Sequence, residues 1–321
     1  MHNNKIIAEG FTSNYGGNHA EVNAVNAVKN KQCLKEATIY VSLEPCSHFG
    51  KTPPCADLLI QHQFKSVVIG CIDSNSLVAG RGIERLQRAA IHVVVGVLET
   101  ECKAHHKRFF TVQEQKRPYI ILKWAQTIDK FVAPLKRSEQ NPVWISNNYS
   151  QQLVHKFRAQ EQAILVGTNT VIADNPALNV RSWSGNDPIR IVLDKSLRIA
   201  KNTHIYDGSV KTIFITSNKL TTKKLQTLKK ENSILFEQIN FSENIAKQIC
   251  EVLQKHKIQS VIIEGGTKTL QTFIDANLWD EARVFTGNTF FKTGIKAPIL
   301  LAKITATTKI KNDILNTYTN D

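Results

Sequence analysis

Short apolar runs, each set off from the next by enough chain to hold a helix, constrain this 321-residue chain more than any other feature. Residues 119–124, 163–166, 189–193, 212–216 and 260–263 are rich in Val, Ile and Leu with no polar alternation. Runs of that kind read as strands buried on both faces, and parallel strands need helical crossovers to connect them. The expected class is therefore α/β. The front of the chain repeats the pattern, with helices predicted over residues 19–29, 54–62, 82–90 and 99–110 and strands over 5–12, 37–43, 65–71 and 91–97. Two such series exceed what one ordinary core holds. The polar stretch at residues 113–118 separates them, giving expected domains of 1–115 and 116–321.

The balance of 41 Lys and Arg against 27 Asp and Glu, a formal charge of +14, suits an anionic partner of some kind. Much of the excess lies in residues 219–230, which read as a solvated helix face. No run approaches the roughly 18 apolar residues of a membrane span, and the first residues lack the apolar segment of a secretion signal. A cytoplasmic protein without a membrane partner is expected. Six cysteines in a long chain of this type point to metal binding or catalysis rather than a disulfide framework.

Two of those cysteines stand in a telling context. His19-Ala20-Glu21 opens a predicted helix, Pro45-Cys46 follows a strand, and Pro53-Pro54-Cys55 begins the next helix. One imidazole and two thiolates suit zinc and leave a fourth tetrahedral position for water, the open arrangement of a catalytic site. A carboxylate two residues from the His ligand can remain off the metal and shuttle a proton, which is the role expected of Glu21. The other cysteines, Cys33, Cys71, Cys102 and Cys250, lack such partners and read as small apolar residues.

The loop from Glu44 to Cys55, Glu-Pro-Cys-Ser-His-Phe-Gly-Lys-Thr-Pro-Pro-Cys, closely resembles the deaminase half of the bifunctional riboflavin-biosynthesis enzymes. That resemblance implies a cytidine-deaminase-like domain in which His19, Cys46 and Cys55 bind Zn2+, Glu21 moves protons, and His48 and Lys51 contact a phosphoribosylated pyrimidine. The family carries a helix and a strand ahead of the point where this sequence starts. On that comparison the domain is incomplete, residues 5–12 would pair with the absent strand, and weak or absent deamination is expected.

From Arg117 onward the chain resembles the reductase half of the same enzymes, a dihydrofolate-reductase-like domain. The resemblance rests on Leu122-Lys123-Trp124-Ala125-Gln126-Thr127, Trp144-Ile145-Ser146, Arg158-Ala159, Thr170 to Leu178 and Val180-Arg181. Ser260 to Thr267 reads as a buried strand ending in a glycine pair before a helix, a geometry that lets amides approach a phosphate. It is not the Gly-x-Gly-x-x-Gly fingerprint of a Rossmann domain. The resemblance implies NADPH held by Ala125, Trp144, Thr170, Asp174, Gly266, Thr267, Lys268, Thr269 and Leu270. It implies substrate contacts from Lys123, Arg158, Leu178, Arg181 and Glu264. Two departures stand out: Asp129-Lys130 replaces the family's frequent Asp-Gly, and Lys195 follows Asp194 where the family often has Ser. The partner implied is a small phosphoribosyl pyrimidine, with the oligomeric state open. A nucleic-acid base deaminase shares the zinc signature and the basic balance, but the long cysteine loop and the second half of the chain count against it. A zinc-stabilised structural protein is the non-enzymatic alternative.

Overall fold

The computed structural model describes residues 1–14, 16–75, 78–136, 140–221 and 233–320. Their contacts separate into two units, Met1–Gln115 and Lys116–Asp321.

In the first unit three parallel strands, β1 (Thr38–Leu43), β2 (Ser66–Cys71) and β3 (His92–Val95), lie in that order. Helices α1 (Ala20–Ala27), α2 (Cys55–Gln61) and α3 (Arg81–Arg88) contribute Val25, Leu59 and Leu86 to a core with Val67 and Ile69 of β2. The predicted strand over residues 5–12 does not form. Its only ladder contact is an isolated bridge between His2 and Lys5, and the segment instead lays Ile7 and Ala8 against the core. Without a ladder partner its backbone groups gain no strand pairing, and the segment's apolar side chains are what tie it to the unit. The predicted helix over 99–110 is two, α4 (Glu99–His105) and α5 (Lys107–Gln115), because His106 leaves helical geometry at φ −92°, ψ 13°.

The second unit is built on nine strands in one sheet. Seven run parallel in the order β11 (Glu281–Thr286), β4 (Tyr119–Gln126), β10 (Ser260–Gly265), β6 (Ala163–Gly167), β7 (Ile189–Leu193), β8 (Thr212–Ser217) and β9 (Ile234–Ile239). An antiparallel hairpin, β13 (Ile304–Ile310) and β14 (Asp313–Thr319), closes the β11 side. A small ribbon pairs β5 (Phe131–Ala133) with β12 (Ile295–Lys296). Side-chain alternation sorts the central strands into two cores. Ile120, Leu122, Leu165, Ile213, Val261 and Ile263 face α8 (Ile245–Lys255) and α9 (Thr267–Asp275), packing with Leu253 and Phe273. Ile121, Ile164, Val166, Phe214 and Ile262 form the opposite core with Val171 of α7 (Thr168–Asp174) and Phe157 of α6 (Asn148–Gln160). Each such buried side chain contributes ~1.5–3 kcal/mol relative to exposure. Residues 222–232, most of the lysine-rich run read as a helix face, lie outside the described residues.

One buried carboxylate ties the first unit's strand ends together. Glu44, at 4% exposure, accepts from the backbone N–H groups of Asp73, Gly80, Gly82 and Ile83 at 2.9–3.3 Å. It thereby satisfies free donors at the start of α3. A Glu44→Ala substitution should destabilise this unit by ~2–4 kcal/mol by leaving buried donors unpaired. Urea unfolding followed by hydrogen exchange should place the loss in residues 1–115 and leave the amides of the nine-stranded sheet as protected as before.

Candidate functional site

In the first unit the backbone delivers three donor atoms to one point. His19 sits in extended geometry as the cap of α1, Cys46 follows the end of β1, and Cys55 is the first residue of α2 behind Pro54. His19 Nδ1 lies 3.5 Å from Cys46 Sγ and 3.3 Å from Cys55 Sγ, and the three atoms all fall within 4.8 Å of one another. Metal bonds of ~2.0–2.3 Å at tetrahedral angles separate ligand atoms by roughly 3.5 Å. The donor set and its spacing therefore fit a zinc ion.

The Cys55 peptide N–H also points at Cys46 Sγ, at 3.2 Å. Hydrogen bonding from the Cys55 thiol, opposed by burial and aided by the Cys55 amide and His19, brings Cys46 down to about 5. The same shared proton, with burial and the neighbouring Glu21, pushes Cys55 upward. Burial raises Glu21, and the charge on Cys46 adds to the rise, while a hydrogen bond with Cys55 works against it. Glu21 thus sits against the sulfur pair as a carboxyl that holds a proton more readily than one in water.

A cavity of 250 Å³ opens beside these donors, lined by Ser13, Asn14, His19, Cys46, His48, Lys51 and Thr52 among others. His48 Nδ1 is buried and has no hydrogen-bond partner among the described residues. Glu21 does not line that cavity; it borders a separate apolar hollow of 320 Å³ with Ile7, Ala24 and Tyr40. Ser13 and Asn14 were not expected from the sequence, since nothing in their local pattern marks them.

In the second unit the polar groups gather at the carboxyl ends of the parallel strands, where an open α/β sheet leaves room for ligands. Lys123 of β4 and Glu264 of β10 share the sheet face of Ile121 and Ile262. Arg158 of α6 donates from Nε and Nη2 to the two Glu264 oxygens at 2.9 and 2.7 Å, and Lys123 Nζ stands 3.7 Å away. The three side chains are 12, 8 and 13% exposed in the order Arg158, Glu264, Lys123. Burial would raise Glu264, but the charges of Arg158 and Lys123 outweigh it and hold the carboxylate at about 2. Burial lowers Lys123, against the pull of Glu264. Arg181 is lowered by burial and by repulsion from Arg158.

Two cavities meet at this cluster. One, of 530 Å³, is lined by Trp144, His155, Arg158, Leu178, Arg181 and His204 among others. The other, of 520 Å³, is lined by Thr168, Lys195, Arg198, Phe241 and Gly266 to Leu270 among others. Lys123, Ala125, Thr170, Asp174 and Glu264 border both. Trp144 borders only the first, although the resemblance grouped it with the cofactor contacts. Leu178 and Leu270 reach the cavity walls while their side chains belong to the cores.

Gly266 caps α9, and Gly265 takes φ 132°, a region that side chains disfavour. A Cβ on Gly167 would stand 2.6 Å from Thr269 Oγ1, so the end of β6 and the first turn of α9 can approach only without one. At the Asp129-Lys130 departure the turn keeps a glycine-like shape, with Lys130 at φ 62° and Asp129 accepting from the Lys292 amide at 2.7 Å. Lys195, the second departure, borders the 520 Å³ cavity with its ammonium 5.5 Å from the Phe241 ring. Lys195 and Arg198 went unassigned, although their place just beyond the carboxyl end of an expected strand was a usable signal. His155 was also missed; it precedes Arg158 by three residues and so shares its helix face.

Comparison with known proteins finds a match in each unit. Residues 1–71 match the model of the cytidine and deoxycytidylate deaminase zinc-binding region, and residues 118–313 match that of the RibD C-terminal domain. The chain is similar to the riboflavin biosynthesis protein RibD of Aquifex aeolicus, with 39% identity across 88% of this chain and 77% of that one. A solved structure of Acinetobacter baumannii RibD superposes with a TM-score of 0.86 at 29% identity, covering 99% of this chain and 89% of its own. The Thermotoga maritima structure of a diaminohydroxyphosphoribosylaminopyrimidine deaminase/5-amino-6-(5-phosphoribosylamino)uracil reductase gives 0.85 at 31% identity, covering 98% and 88%. With a zinc-type donor trio in one unit and a paired cleft in the other, the chain belongs to the RibD family of bifunctional riboflavin-biosynthesis deaminases and reductases.

Proposed function

We propose that residues 1–115 form the deaminase domain and 116–321 the reductase domain. The first removes the amine of a 2,5-diamino-6-ribosylamino-pyrimidinone 5'-phosphate, and the second reduces the ribosyl side chain of the product to ribityl. The observation that carries the reading is the convergence of His19 Nδ1, Cys46 Sγ and Cys55 Sγ within 4.8 Å, with Glu21 against the sulfurs. Because these groups assemble in this chain, the reading includes deamination rather than reduction alone.

Zinc bound to the trio would supply Lewis acidity for the hydrolysis, and NADPH would supply the hydride. Glu21, in its carboxylate form, takes the proton given up by the attacking water as its oxygen adds to the ring carbon, and returns it to the amine as the C–N bond breaks and ammonia leaves; burial strengthens its hold on that proton in between. His48 and Lys51 line the cavity beside the donor trio and orient the pyrimidine and its phosphate. In the second unit the Gly266 cap and the first-turn amides of Thr267, Lys268 and Thr269 face an anion with the positive end of α9. Leu270 closes the same wall from the core side, and Ala125, Thr170 and Asp174 flank the nicotinamide end where the two cavities meet. Trp144 covers the substrate side of that junction. Lys123 and Glu264 position the ribosyl group, while Arg158, Leu178 and Arg181 wall the space for its phosphate.

Ammonia release and NADPH oxidation, followed separately on the full chain, should both depend on the pyrimidine substrate. Absence of either step removes the corresponding half of the reading. Cys55→Ser should empty the zinc site by metal analysis and abolish ammonia release, while NADPH oxidation on pre-deaminated substrate continues. Glu21→Gln should retain zinc yet slow ammonia release by ~10²–10⁴-fold. In the reductase unit Glu264 titrates at about 2, below the ordinary value of 4.5. Its stabilising effect is then complete above about pH 5 and is lost as pH falls from 4.5 toward 2. Glu264→Gln should flatten acid unfolding in that window, and an unchanged profile would contradict the paired carboxylate.

A further inference from the structure

The reading of the 530 Å³ cavity as the place of a phosphorylated ribosyl substrate leaves several of its polar residues without a task, His155 among them. His155 is 6% exposed, borders that cavity, and lies on α6 one turn before Arg158. Its Nδ1 accepts the backbone N–H of Arg181 at 3.2 Å. Three residues later Arg158 Nη1 donates to the carbonyl of Asn179 at 3.2 Å. The helix face therefore grips the 179–181 segment at two points, one on each side of the peptide groups that precede Arg181. Leu178, at φ 54°, buries its side chain in the core just ahead of them. The Arg181 guanidinium in turn bonds Asn179 Oδ1, so its direction depends on how this short segment is held.

We propose that His155 is the positioning residue for Arg181, acting as a neutral acceptor that fixes the main chain from which the guanidinium reaches the substrate phosphate. The role requires a lone pair on Nδ1, which places the ring proton on Nε2. The charged groups around the ring favour that state. Arg158 and Arg181 repel an imidazolium, Glu264 and the Asn179 carbonyl oppose them more weakly, and with burial as the largest cause the ring titrates at about 4. At neutral pH the acceptor is thus retained. A cation at this position would repel the Arg181 N–H and add a third positive charge beside the two arginines.

The test compares wild type, His155→Leu and His155→Asn by calorimetric titration with D-ribose 5-phosphate, the phosphorylated sugar alone, and with NADPH. Asn places Oδ1 the same number of bonds from the backbone as Nδ1, so it restores the acceptor. For His155→Leu the expected result is ~10-fold weaker ribose 5-phosphate binding, the size of one lost hydrogen bond. NADPH affinity should stay unchanged, and in turnover KM for the pyrimidine should rise more than kcat falls. His155→Asn should stay within about threefold of wild type. Ribose 5-phosphate binding by the Leu variant equal to wild type overturns the proposal, and so does an Asn variant as weak as Leu. Wild type that binds NADPH but no ribose 5-phosphate would instead overturn the assignment of the cavity itself.

Discussion

A carboxylate buried at the end of a central strand must have its charge answered within a few ångströms, and Glu264 is answered twice. The forked guanidinium of Arg158 takes both oxygens, and the Lys123 ammonium stands behind them. Neither cation could be buried alone at acceptable cost, and neither could the anion. The cluster is therefore a single unit drawn from three elements, β4, β10 and α6, and it exists only when those elements are in register. Arg158 and Lys123 beside one carboxylate also set the electrostatics of the hollow around it, which the Arg181 guanidinium borders as well.

The first unit solves a related problem with sulfur. Two thiols and an imidazole brought this close share protons unevenly, and Cys46 gives up its own well below neutral pH. What holds them there is ordinary backbone chemistry. A proline starts α2 one residue before Cys55, and Glu44, two residues before Cys46, collects the donors that would otherwise be stranded at the ends of β2 and α3. Donor trio and scaffold are then fixed by the same stretch of chain.

Much of this was legible from the residues. The apolar runs announced β4, β6, β7, β8 and β10, and their pleat explains the two cores. The metal trio was legible because a His-x-Glu and two Pro-Cys pairs fall at helix and strand ends. Strand β11 was not, because Glu281 and Arg283 occupy buried positions within it and pair with each other at 2.5 Å, so a core strand carries the look of a polar one. The β13 and β14 hairpin escaped for the opposite reason: β13 is exposed along nearly its whole length and carries threonine rather than an apolar face. The segment at residues 5–12 misled because alternation forecasts a strand only where a neighbour exists to pair with it. Residues that act through geometry are harder to read: Glu44 carries no local signature, and His155 offers only its helical spacing from Arg158. Their importance lies in which distant amides they meet.

Each unit encloses its own apolar interior: Val25, Leu59 and Ile69 share a cluster with none of the residues that pack around Phe273 or Phe214. A substitution that hollows one interior therefore removes packing first from the helices and strands that line it, the elements that carry that unit's own polar cluster.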